Sequence, residues 1–448
     1  MVNPVDSAGD GAGAAEGRVR GEVRDDDPLP RRRLLDAPPL GGTIKERPED
    51  FLVDEIPLYE PCGEGEHLYL GVQRQDMAHS EMIEILCRHF GVPEEAVGFA
   101  GMKDKVAVIR QTVSIHLPGR EPPAVELGHD RLAILWRKRH ANKIRRGHLA
   151  GNRFSIRIRK LDPIRSPMVW RGLRTLERDG VPDYYGVQRF GYRRNTYRLG
   201  RHILNGDPQA LLDELLGTGF PFPEHQRRAR ELYDAGRHAE SLREWSRNDR
   251  AERVALNALA RGGSPRNAMR AISPAVRTFW VSAYQSAVFN RLLDRRIDDG
   301  LFARIIEGDV AYRHRSRGQF TVTRAMLEAE DMPARVAAFD ISPSGPMFGR
   351  GMVDPGEPVR GWEEEATRAM GVRPEVFAAK ETDLEGTRRP FRVPVTNIEL
   401  EGGFDEHGPF VRVAFDLPRG AYATVLLREI LGDTAAESED AANAAQDG

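Results

Sequence analysis

Only two of the 448 residues are cysteine, Cys62 and Cys87, and neither belongs to a Cys-x-x-Cys pair. That argues against a disulfide framework and against a cysteine-based zinc site. No apolar run approaches the roughly 20 residues that a membrane-spanning helix needs. The N-terminal stretch has scattered acids and no apolar centre, so it does not read as a secretory signal, and a cytoplasmic protein is expected. Nucleotide and metal signatures are also missing. There is no Gly-x-x-x-x-Gly-Lys-[Ser/Thr] loop, no His-Glu-x-x-His, and no Gly-x-Gly-x-x-Gly placed after a strand. Cys62 and His67 are too isolated to suggest a metal. The expectation is therefore a protein with neither cofactor nor metal.

Excess charge is absent too: the formal net charge is -2, which by itself argues against a nucleic-acid partner. Distribution matters more than the sum, because a local basic face makes its own field. From Arg131 to Lys160 the chain carries Arg137, Lys138, Arg139, Lys143, Arg145, Arg146, Arg153, Arg157 and Arg159, and no acid. The run from Gly186 to Arg201 is also acid-free, with Arg189, Arg193, Arg194 and Arg198 inside it. Such clusters suit phosphate neutralisation, although a solvated charged face would look the same.

With 40% hydrophobic and 30% charged residues, the chain has an ordinary globular composition and length for two or three domains. Residues 1–40 lack hydrophobic periodicity and read as a disordered tail, as does the acidic, Ala-rich 433–448. Between them strands and helices mix. Phe51, Val53 and Glu55 share an alternating segment, Ser80 to Phe90 reads as a helix closed by Gly91, and Val106 to Ile115 as a strand. Asn152 opens another strand, in which Phe154, Ile156 and Ile158 alternate with Ser155, Arg157 and Arg159. Its cationic face would look to RNA or to solvent. Gln209 to Leu259 is helical and charged, and a long helix is expected from Pro274 to Asp299. Ser342-Pro343-Ser344-Gly345-Pro346 reads as turn. Val411, Val413 and Phe415 alternate as a strand, Leu417 to Gly420 breaks it, and Ala421 to Leu431 is a helix.

The segment Gly98-Phe99-Ala100-Gly101-Met102-Lys103-Asp104-Lys105 sets one carboxylate among cations on a glycine turn. Neighbouring positive charge keeps such a group ionised, hence available as nucleophile or base. Taken alone the pattern is that of a surface turn, since turns favour these residues. Other segments accompany it. They are Gly147-His148-Leu149-Ala150-Gly151-Asn152-Arg153-Phe154, the run from Val181 to Gly191, Ser282 to Asn290, and Phe415-Asp416-Leu417-Pro418-Arg419-Gly420.

In this order, from about Lys45 to Leu431, the set resembles the TruD family of pseudouridine synthases. The resemblance implies an α+β fold: a pseudouridine-synthase catalytic domain, with a mixed and mostly antiparallel sheet and flanking helices, interrupted by an α/β insertion domain. The catalytic parts would be 41–190 and 389–432, the insertion 191–388. It implies an isomerase that converts uridine to pseudouridine in tRNA, in bacteria typically at position 13. By the same resemblance Asp104 is the catalytic carboxylate, with Lys103 beside it. Asn152 and Phe154 of the Gly-Asn-x-Phe motif, Phe51 of Phe-x-Val-x-Glu and Phe415 of Phe-x-Leu-Pro are substrate contacts. For Phe154 and Phe415 the alternative is a place in the core, the commoner fate of an aromatic on an apolar strand face. The family's basic-Gly-Asn-Thr-like segment is replaced here by Val72-Gln73-Arg74-Gln75-Asp76-Met77-Ala78-His79, and no site residue is assigned there. The helical part of the insertion, Arg227 to Arg261, is more similar to archaeal and eukaryotic members.

RNA is the expected partner, with no membrane and no obligate protein partner. The principal alternative is an RNA-binding protein on the same fold without catalysis, which would need the basic segments but not a carboxylate in a cationic turn. An aspartate-dependent glycoside or nucleoside hydrolase is a weaker rival. Such enzymes pair two carboxylates across the bond, and no second acid sits in a comparable motif.

Overall fold

The computed structural model describes residues 27–101, 103, 105–123, 125–378 and 384–433. The first part of the chain forms β1 (Phe51–Pro57), β2 (His67–Gln75), α1 (His79–Phe90), β3 (Val97–Phe99), β4 (Val108–His116), β5 (Leu132–His140), β6 (Leu149–Arg159), α2 (Ser166–Asp179) and β7 (Val181–Pro182). A helical stretch follows: α3 (Thr196–Leu204), α4 (Pro208–Leu216), α5 (Arg227–Asp234), α6 (His238–Glu244), α7 (Arg250–Ala260), α8 (Pro265–Ala271) and the long α9 (Pro274–Asp298). Next come β8 (Val310–Arg313), β9 (Gln319–Thr321), α10 (Arg324–Ala329), α11 (Met332–Ala337), β10 (Ile341–Met347) and α12 (Val359–Ala369). The chain ends in β11 (Thr387–Pro390), β12 (Arg392–Val393), β13 (Thr396–Asp405), β14 (Gly408–Pro418) and α13 (Ala423–Leu431).

The large sheet has the order β13-β14-β6-β1-β4-β2-β5, with β3 added on β4. Only β1 and β4 run parallel; its other pairs are antiparallel. A smaller sheet, β11-β10-β8-β9, forms within the later part of the chain together with α3 to α12. The fold is α+β, as expected. Period-two patterning places Phe154, Ile156 and Ile158 of β6 in the main core, with Val411, Val413 and Phe415 of β14 and with Leu426, Leu427 and Ile430 of α13. The α1 helix ends where Gly91 takes a left-handed φ of 60° and its N–H caps the Cys87 carbonyl.

On the opposite face of β6 the arginines are partly or fully buried and paired with acids of the chain itself. Arg153 pairs with Glu399 at 2.6 Å and Asp416 at 2.9 Å, and Arg157 lies 3.9 Å from Asp405. The acids that balance this strand come from β13 and β14, far along the chain.

The segment 342–346, expected as turn, is instead the middle of the buried strand β10. Its prolines and glycine fit there because Ser344 to Met347 pair with β11 on one side, while Ile341 to Pro343 pair with β8 on the other. At Gly345 any Cβ would fall within 2.6–2.8 Å of the Phe391 and Phe289 rings, so close packing, not a turn, requires the glycine.

Residues 27–40, read from composition as part of a tail, form a docked strap. The Arg31 and Arg32 amides donate to Asp294 at 3.0 and 3.1 Å, and the Leu34 amide to Glu429 at 2.6 Å. Buried carboxylates on α9 and α13 supply the partners that a short strap cannot find within itself. Residues 1–26 and 434–448 of the two expected tails lie outside the described residues.

Candidate functional site

Where β1, β6 and the turn after β3 converge, a cleft of about 300 Å³ opens. Phe51 and Val53 of β1, Asn152 and Phe154 of β6, Gly101, Lys103, Gln188 and the segment 419–424 line it. Strand register explains the grouping. Val53 pairs with Phe154 and Glu55 with Asn152, so the inward positions of two neighbouring strands share one wall. Phe51 meets Phe154 edge to face, with centroids 6.2 Å apart. Phe415 pairs with Phe154 across β14 and β6, and its ring lies 5.7 Å from that of Phe154. It is fully buried and stands behind Phe154, not among the residues lining the cleft.

Lys103 reaches into the cleft. Its ammonium donates to Asn152 Oδ1 at 2.6 Å and lies 3.3 Å from Glu55 Oε2. Burial pushes the Glu55 carboxyl up, and Lys103 works against that shift by favouring the anion. The other Glu55 oxygen accepts the Thr112 amide at 3.3 Å, where β1 parts from β4. Behind the turn Arg74, fully buried on β2, donates to the Lys103 carbonyl at 3.0 Å and to the Met77 carbonyl. His79 sits next to this group, its ring 4.3 Å from Phe99; burial, with Arg74, Arg146 and Lys103 nearby, lowers its pKa to about 4. The buried Lys45 ammonium lies 4.6 Å above the Phe51 ring. Asp104 itself lies outside the described residues. Lys103 and Lys105, which flank it, are described, and the first of them is in the cleft wall.

Four of the expected residues thus meet at one cleft: Phe51, Lys103, Asn152 and Phe154. Sequence reasoning passed over Glu55, Lys45, Arg74 and Arg419. Glu55 had a visible signal, since it occupies an inward position in register with Phe51 and Val53. Arg74 sat in the segment where the family pattern breaks. Arg419, whose guanidinium donates to the Gly147 carbonyl, joins the end of β14 to the segment before β6. Arg189 is a brace: it stacks on Tyr185 and Phe279 and donates to Ser286 Oγ of α9 at 3.0 Å.

A sequence model of the family "tRNA pseudouridine synthase D (TruD)" matches residues 31–430. The chain belongs to the TruD family. Its similarity extends over whole proteins. It is 41% identical to the tRNA pseudouridine synthase D of Geobacter sulfurreducens, over 90% of this chain and 96% of the relative. With that of Geotalea daltonii it shares 38% identity, over 88% and 97% of the two chains. The crystal structure of the putative TruD protein of Methanosarcina mazei superposes with a TM-score of 0.77 at 26% identity, covering 92% of this chain and 98% of that one. The TruD fold is therefore present from strap to final helix. Among the described residues no helix is long and apolar enough to cross a membrane.

Proposed function

We propose that this chain is a cofactor-independent isomerase that converts uridine to pseudouridine in tRNA, at uridine 13, with Asp104 as its catalytic carboxylate. The observation that carries the reading is the composition of the cleft beside the Lys103–Lys105 turn: two phenyl rings, one carboxamide and one ammonium held by a buried acid. Each element answers a need of the reaction. The target must leave its stack, and an extruded pyrimidine then needs an aromatic neighbour and donors for its carbonyls. Phe154 and Phe51 supply the former. Asn152 supplies the amide, oriented by Lys103 through its Oδ1 so that the NH₂ group is left to donate. The N1–C1′ bond breaks, the uracil turns, and C5 joins C1′; the C5 proton is given up and N1 takes up a proton, so the product is an isomer of the substrate. No electrons or water are consumed, so neither redox group nor metal is called for. Asp104 serves by attacking sugar or base or by taking a sugar proton. Phe415 acts through Phe154, as the ring that backs it. The insertion is assigned to 191–388, and the cytoplasm is the place of work.

Support comes from the family membership and from the meeting of Phe51, Lys103, Asn152 and Phe154 at one cleft. The test is Asp104→Asn with tRNA transcripts. Pseudouridine formation should vanish while RNA binding is retained, and mapping of cellular RNA with and without the protein should identify the position. Pseudouridine formed at the wild-type rate would remove Asp104 from the chemistry. Binding without isomerisation by the unaltered chain would favour a non-catalytic RNA-binding protein.

A further inference from the structure

A second cleft, also of about 300 Å³, lies next to the first and has no part in the reaction just described. Its walls include Leu58, Tyr59, Tyr69, Gly71, Leu135 and Trp136. Three of these are large apolar side chains left in contact with solvent: Leu58 is 53%, Leu135 51% and Trp136 41% exposed. The Trp136 indole lies flat against the sheet because its partner across the strands is Gly71. A Cβ at Gly71 would come within 2.0 Å of the indole nitrogen, so the missing side chain is what lets the ring lie there. The facing wall is fixed by hydrogen bonds and stacking. Tyr59 Oη meets His148 Nδ1 at 3.0 Å, Tyr69 Oη donates to the Asn142 carbonyl at 2.9 Å, and Tyr59 stacks on His140 at 5.3 Å.

The two clefts share a partition. Glu55 lines the second cleft, and its carboxylate is 3.3 Å from the Lys103 ammonium that lines the first. His148 faces the second cleft and the next residue, Leu149, faces the first. Lys138, two residues beyond Trp136 on β5, and Arg145, which follows Ile144 of the cleft wall, are exposed, and among the described residues no ion-pair partner accompanies them, unlike Arg153, Arg157 and Arg159 of the same acid-free run. Of the acids in the wall, Asp54 is faced by Arg110 at 3.7 Å and Glu55 by Lys103 at 3.3 Å, while Glu60 is exposed at the edge.

We propose that the second cleft holds an unstacked nucleobase close to the target uridine in the same RNA, with Trp136 as its stacking platform and the Lys138–Arg145 rim beside the intervening phosphates. A flat, half-exposed aromatic flanked by unpaired cations is the arrangement by which proteins grip single-stranded nucleotides. The inference rests on the reading that the first cleft takes a uridine from RNA. It adds that the protein grips the strand at two bases, so that the nucleotide beside the target contributes to affinity.

The experiment uses the full chain and a tRNA transcript in which the modified uridine has first been mapped. Transcripts carrying one abasic nucleotide at each of the neighbouring positions are compared by equilibrium binding and by pseudouridine yield. With the unaltered chain, one abasic position should weaken binding about tenfold, within the range for loss of one base–aromatic stack. Trp136→Ala should weaken binding of the intact transcript by a similar factor and be indifferent to that same abasic position. Trp136→Phe should restore both the affinity and the position dependence, and Trp136→Leu, which keeps apolar cover over Gly71, should behave like the alanine variant. Wild-type affinity in Trp136→Ala, or a loss that simply adds to every abasic effect, would overturn the second-base site while pseudouridine formation continued. Failure of the intact transcript to bind or react with the unaltered chain would instead overturn the functional reading on which it rests.

Discussion

Replacing Arg74 with methionine tests the geometry behind the Lys103–Lys105 turn. The guanidinium is fully buried and donates to two carbonyls, those of Met77 and Lys103. The hydrogen bond to the Lys103 carbonyl holds the backbone of Lys103 from behind. Methionine fills much of the volume but donates nothing. Each stranded carbonyl costs about 1–3 kcal/mol. Relief of the buried charge's own desolvation offsets part of this. The expected net loss is about 2–4 kcal/mol, seen as a fall of several degrees in the melting temperature. Activity should fall further than stability alone explains, because the turn loses its rear support while the cleft keeps its lining. Single-turnover release of tritium from tRNA labelled at uridine C5 would show a slower rate at saturating enzyme, with RNA affinity within about twofold of wild type. Arg74→Lys, with a single nitrogen for two carbonyls, should be intermediate. An Arg74→Met protein as stable and as fast as the parent would refute this account.

Two further perturbations are sharp. Lys103→Met takes the cation from Glu55, whose carboxyl burial already raises, and frees the Asn152 amide to turn; the rate of pseudouridine formation should fall at least tenfold with little change in RNA affinity. Equal rates in a single-turnover comparison would show that Asn152 needs no anchor. Asp405 is held down to about 2 by its hydrogen bond to Arg159, against an ordinary value near 3.8. A depressed carboxylate stabilises the fold above its unfolded pKa and loses that contribution as pH falls through the folded value. Asp405→Asn should therefore lower the urea midpoint at pH 6, with the gap to wild type closing between pH 4 and pH 2. A gap independent of pH would point to lost packing instead of lost charge.

Local pattern made much of the fold legible. The helix expected from Ser80 to Phe90 is α1, starting one residue earlier, and the Pro274–Asp299 helix is α9 to within its last residue. Alternation around Phe51, Phe154 and Phe415 pointed to strands because apolar and polar residues sit on opposite faces. The strand at 341–347 was hidden, since its two prolines and glycine are turn residues until the Phe289 and Phe391 rings that demand a small neighbour are known. The charge on β6 left two readings open, RNA-facing or solvent-facing, because the acid that pairs with Arg153, Glu399, is 246 positions away. Four cleft residues were readable from motifs, each a short pattern on one strand or turn. Glu55 stood in the same alternating segment but was not singled out, and Arg74 was not readable, because its role comes from carbonyls of Met77 and Lys103 outside its own strand.

The late closure of the large sheet has a consequence for the cell that makes this protein. The cleft wall formed by 419–424 meets the wall before β6 through Arg419 and Gly147, 272 positions apart, and β14 must slide in beside β6 before either is in place. A nascent chain still lacking its last few dozen residues holds the aromatic and basic segments but only half of the pocket. A chain cut before β14 would therefore carry the Lys-Asp-Lys turn and both cleft strands of the first part, yet lack the wall that 419–424 supply.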